Sequence, residues 1–173
     1  MSKTISLASH LAPDSISRLE RAAERCYGDA ERLVAQQRFL AALYFFGYSV
    51  EMCLSAAYYR SAGFKPNATL DRDTRQRRMA QARQLQTPTG EPMMSSDPHP
   101  LGGWARFLEW QRLASGNLAE KEKQRLKEAV SKADIVYKHW RPELRYKNVN
   151  VQPGQLDEVR KATTWFKDLL GKL

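Results

Sequence analysis

Glu51 is the only charged residue in the 21-residue stretch from Phe39 to Tyr59, FLAALYFFGYSVEMCLSAAYY. Wound as a helix, this stretch places Tyr44, Tyr48, Glu51, Ser55 and Tyr58 at steps of four, three, four and three, a polar stripe on an otherwise apolar surface. A carboxylate in such surroundings either holds a proton or needs a cationic partner. The segment KHWRPELRYK supplies two candidates, Arg141 and Arg145, because Pro142 breaks the preceding helix and can turn the following arginine inward. The alternative is that Glu51 emerges at a rim and meets water.

Other chemistry is sparse. His10, His99 and His139 fall in the N-terminal tail, a proline-rich stretch and the end of a helical pattern, and no two have metal-ligand spacing. Each reads as a surface histidine, and His99, between Pro98 and Pro100, reads as helping to start the next helix. Cys26 and Cys53 have no second cysteine or histidine at ligand spacing, which argues against a disulfide scaffold or structural zinc and fits a reducing cytoplasm. The dinucleotide, P-loop, zincin and nucleophile-elbow motifs are absent, so no cofactor, metal or familiar enzyme site is indicated.

The chain of 173 residues is 42% hydrophobic, enough to bury the core of one domain spanning 1–173. Its formal charge of +9 favours polyanions. More than half of that excess lies between Arg60 and Arg83, where seven basic residues face two acidic ones. Within it, Arg72, Arg75, Arg77, Arg78 and Arg83 read either as a phosphate-contacting patch or as an ordinary solvated helix. The following residues, TPTGEPMMSSDPHPLGG, carry four prolines and three glycines, so regular structure is not expected there.

Helical spacing recurs on either side. Ile16, Leu19, Ala23, Cys26, Ala30 and Leu33 mark a first helix after Pro13-Asp14-Ser15, with a bend possible at Gly28. The Glu51 segment is the second, closing near Gly63. Leu101, Trp104 and Leu108 give a third, widened by Phe107 and Trp110. A fourth runs from an Asn117-x-x-Glu120 capping box to Trp140, and Leu156, Val159, Thr163, Phe166 and Leu170 define the last. The expected fold is therefore all-α, an up-and-down helical bundle of four to five helices, with a basic, proline-rich insertion at about 64–100 between helices two and three. A membrane span over Phe39–Tyr59 is set aside: a mid-span carboxylate costs roughly 3 kcal/mol on insertion scales. The N-terminus also lacks a signal-peptide apolar run.

Two segments, Gly47-Tyr48-Ser49-Val50-Glu51 with Leu54, and Trp140-Arg141-Pro142-Glu143-Leu144-Arg145-Tyr146, resemble the HEPN domains of bacteria and archaea. The resemblance implies a helical bundle that forms a homodimer, with Glu51, Tyr48, Trp140, Arg145 and Tyr146 at a cleft near the dimer interface. Tyr44, Tyr48 and Trp140 are the interface anchors expected, and Glu51 with Arg145 the ion pair. Many HEPN proteins are metal-independent ribonucleases of toxin-antitoxin and antiviral systems. Others are non-catalytic partners of nucleotidyltransferases or RNA- and nucleotide-binding modules. The ribonuclease subset carries an arginine, four to six residues and a histidine. Here the arginine positions ahead of His139 hold Lys132, Ala133 and Asp134, and those ahead of His99 hold Pro92, Met93 and Met94. The expectation is therefore a non-catalytic module whose partner is RNA, a nucleotide, a nucleotidyltransferase or an antitoxin. The alternative is an atypical ribonuclease using His139 with Arg141 or Arg145.

Overall fold

The computed structural model describes residues 15–86, 90, 92–94, 99–147 and 149–173, with Arg145 described by its backbone. Six α-helices account for most of them: α1 (Ile16–Ala35), α2 (Phe39–Ser61), α3 (Arg72–Gln84), α4 (Leu101–Ala114), α5 (Glu120–His139) and α6 (Pro153–Asp168), with a 3-10 helix at Pro142–Tyr146. Among the described residues there is no strand, only an isolated antiparallel bridge between Gln86 and Pro92. The all-α bundle expected from periodicity is the fold observed. The additional helix is α3, inside the basic insertion, and it has no apolar stripe from which to be counted.

α2 is the central element. It packs on α1, α4, α6 and, less extensively, α5, while α4 and α5 pair with each other and α6 closes against α1, α2 and α5. Phe46, Val50, Leu54 and Tyr58 of α2 are buried together with Phe107 and Leu108 of α4, Val136 of α5 and Phe166 of α6. By length and composition α2 could cross a membrane, yet half of its most apolar window is covered by the rest of the protein. It is the core helix of the bundle.

Local chemistry sets the helix ends. Ser15 caps α1, its hydroxyl accepting from the Arg18 N–H at 3.3 Å. α2 stops where Gly63 adopts φ +84°, with the Gly63 N–H bonded to the Arg60 carbonyl and the Phe64 N–H to the Tyr59 carbonyl. Those two bonds satisfy carbonyls that the ending helix leaves open. The α5 start differs from the Asn117 capping box: Asn117 takes φ +48° in the turn, and the Glu122 carboxylate accepts from the Ala119 N–H at 3.1 Å. Leu101, Gly102 and Gly103, expected to be irregular, form the first turn of α4. Gly102 and Gly103 are buried there, Gly102 beneath the Asp134 and Arg106 side-chain ends and Gly103 against Met94 and the Met93 backbone.

One contact joins the two motif segments. A β-carbon at Gly47 would fall inside the van der Waals envelope of the Trp140 indole, so the ring lies directly on the backbone of α2. Its Nε1–H donates to the Tyr44 carbonyl at 3.0 Å, and Trp140 is wholly buried. Trp140 is thus an internal residue of one chain, not an anchor offered to a second copy.

Gly47→Ala would ordinarily favour a helix by about 1 kcal/mol. Here the clash should reverse that sign and destabilise by about 1–3 kcal/mol in urea unfolding. Combined with Trp140→Leu, the same substitution should cost clearly less than it does alone, and strict additivity would contradict the contact.

Candidate functional site

Five residues of one α2 face, Tyr48, Glu51, Met52, Ser55 and Tyr59, line a pocket of about 440 Å³. α1 contributes Arg18, Leu19 and Ala22, while Leu70 with Arg75 and Met79 of α3 closes another side, and His99 and Trp104 come from the start of α4. Of the polar stripe expected on α2, Tyr48, Glu51 and Ser55 line the pocket, and Tyr44 and Tyr58 do not. Tyr58 instead points into the core, where it stacks on Phe107 with centroids 4.9 Å apart, and Tyr59 lines the pocket in its place. Burial pushes the Tyr58 phenol's pKa up, with Arg78 opposing the shift.

Among the described residues Glu51 has a partner, His99. His99 Nδ1–H donates to Glu51 Oε1 at 2.7 Å, with the two side chains 30% and 19% exposed. The His99 ring stands edge-on to Tyr48 and to Trp140, each with centroids 6.1 Å apart, and Tyr48 stands edge-on to Trp140 at 5.3 Å. Tyr44 donates to the Tyr48 hydroxyl at 3.3 Å. A chain of rings thus leads from Trp140 on Gly47, through Tyr48, to the imidazole that meets the carboxylate. His99 is not an isolated surface histidine. What pointed to it was the partner requirement of Glu51 together with the proline-flanked position just ahead of the Leu101–Trp104 face.

The other residues singled out from sequence are distributed differently. The Arg145 side chain, and with it the proposed Glu51–Arg145 pair, lies outside the described residues. Tyr146 is 74% exposed and does not line the pocket. His139 meets Glu158 at 3.0 Å on the α5–α6 side, and the Arg141 guanidinium lies 3.3 Å from the Tyr137 ring centroid while donating to the Trp140 carbonyl at 2.6 Å. His139 and Arg141 therefore do not converge on a shared centre. Arg18, which lines the pocket, was not anticipated.

The basic helix serves two cavities. Arg75 lines the Glu51 pocket, whereas Arg77 and Arg78, with Thr74, Gln81 and Phe64, line a neighbouring one of about 380 Å³. Arg78 lies over the Phe64 ring at 5.6 Å and donates to the Gln81 side chain at 3.2 Å. Arg72, Arg75, Arg77 and Arg83 are exposed. Asp71 caps this helix by accepting the Thr74 N–H at 2.7 Å, which holds its carboxyl below the usual range. The cysteines offer no nucleophile: burial pushes the Cys53 thiol up to about 12 and raises Cys26 as well.

Comparison with protein-family models, curated proteins and solved structures finds no match to this chain. The functional reading therefore rests on the pocket, the arginines and the two motif segments.

If Glu51 and His99 act as a pair, Glu51→Gln and His99→Ala should each destabilise by about 1–2 kcal/mol, with a coupling of at least about 0.5 kcal/mol in a double-mutant cycle. Independent effects would show that the 2.7 Å contact contributes nothing in solution.

Proposed function

We propose that the chain is a HEPN-like, non-catalytic module that binds single-stranded RNA or a nucleotide. The observation that carries this reading is the placement of Arg75 from the basic helix and Arg18 from α1 in the same pocket as Tyr48, Tyr59 and the Glu51–His99 pair. Aromatic walls suit a base, and guanidinium groups suit a phosphate. Arg77 and Arg78, lining a second cavity on the same helix, add cationic groups that a second phosphate could meet. The chain's excess of nine positive charges adds long-range attraction. In this reading the protein works in the cytoplasm as a homodimer, beside a nucleotidyltransferase or antitoxin of a defence-type system.

A second reading, a metal-independent ribonuclease, has one observation in its favour. An imidazole oriented by a carboxylate beside two arginines has the parts for acid–base chemistry at a phosphodiester. In this second reading the acid–base group is His99, in place of the His139 with Arg141 or Arg145 expected from sequence.

Labelled single-stranded RNA titrated between roughly 50 and 200 mM salt should show affinity falling with salt, and neutralising Arg75, Arg77 and Arg78 together should flatten the logarithmic slope by about two units. Absence of binding at the low-salt end would overturn the module reading. Recovered RNA should be intact; cleavage abolished by His99→Ala would replace that reading with the ribonuclease.

A further inference from the structure

We propose that the Glu51 pocket selects guanine. The inference rests on the nucleotide-binding reading above and adds to it the identity of the base.

One carboxylate oxygen of Glu51 receives the His99 Nδ1–H, and the other, Oε2, has no hydrogen-bond partner among the described residues. Ser55, one turn further along the same wall, also has a hydroxyl without a hydrogen bond among them. A carboxylate can only accept, and it accepts at both oxygens from a ligand edge carrying two adjacent donors. Of the standard bases, guanine alone has such an edge, with N1–H beside the N2 amino group. Adenine and cytosine set a ring-nitrogen acceptor beside their amino group, and uracil flanks its N3–H with two carbonyls. Each of these would bring a lone pair toward Glu51, which leaves buried acceptors facing one another and costs affinity.

The remaining features of the pocket fit the rest of a guanosine nucleotide. Tyr48 lies one turn from Glu51 on the same α2 wall, which puts its ring within reach of a base held by the carboxylate, while Tyr59 lines the cavity about 12 Å further along the helix. Arg18 and Arg75 reach the same cavity from α1 and α3, so the phosphate lies at the end where those two helices meet it. The cavity of about 440 Å³ is of ordinary small-ligand size. His99 keeps the carboxylate aimed, with its own ring held against Tyr48 and Trp140.

The test is calorimetric titration of the full chain with GMP, IMP and AMP at one salt concentration. IMP keeps N1–H and lacks the amino group, so it removes one of the two donors without any change to the protein. GMP should bind at least about tenfold more tightly than AMP, with IMP between them, and Glu51→Gln should bring GMP and AMP within about twofold. Should Glu51→Gln fail to fold, the ranking of the three nucleotides on the native chain decides the matter by itself. Equal affinity for GMP and AMP, or for GMP and IMP, overturns guanine selection while leaving the nucleotide-binding reading intact. Binding of RNA with none of the three mononucleotides overturns the pocket as the base site, and binding of neither RNA nor nucleotide overturns both proposals.

Discussion

The indole of Trp140 rests on α2 at the one position where that helix has no side chain, Gly47. Everything around the pocket follows from that contact. Because the ring sits on the backbone and bonds the Tyr44 carbonyl, the chain leaving α5 is fixed against the middle of α2. Tyr48, one residue after Gly47, then has an aromatic wall to lean on, and His99 has two. The imidazole delivered by the start of α4 is thereby brought to hydrogen-bond distance from Glu51. A carboxylate that would otherwise oppose burial becomes the polar centre of a cavity formed by four helices.

The electrostatic design separates two tasks. Inside the pocket, one carboxylate, held by His99, sits among aromatic and apolar side chains, with Arg18 and Arg75 on the facing walls. Around it, α3 carries four exposed arginines on a helix tethered mainly by Leu70, Ala82 and the Met93–Leu85 backbone bond, so its charge faces solvent instead of being consumed in the core. In the proposed function, such an arrangement would couple a sequence-tolerant attraction for phosphate to a more selective recess.

Much of the fold was legible because its signals are local. The apolar stripes of α1 and α6, the Gly63 stop of α2 and the polar stripe at Tyr48, Glu51 and Ser55 all depend on spacing within one helix. α3 was not counted as a helix of the bundle because arginine and glutamine form helices without needing an apolar face, and periodicity is silent for them. Asn117 was a plausible cap, yet the tight turn around Gly116 takes it in a left-handed conformation and hands the capping role to Glu122. The partner of Glu51 was harder, since it returns 48 residues later in the chain, and charge alone favoured the arginines near Trp140. His99 reaches Glu51 because the α4 start lies beside Tyr48, a nonlocal consequence of how the helices pack.

The central claim is that the recess on α2 is a binding site for nucleic acid or nucleotide, and amide chemical-shift mapping tests it most directly. On addition of single-stranded RNA to labelled protein, the largest shifts should cluster at Tyr48, Glu51, Ser55, Arg75 and His99 and extend along α3. Shifts confined to the α5–α6 surface around His139 and Glu158, with the pocket amides unmoved, would contradict it.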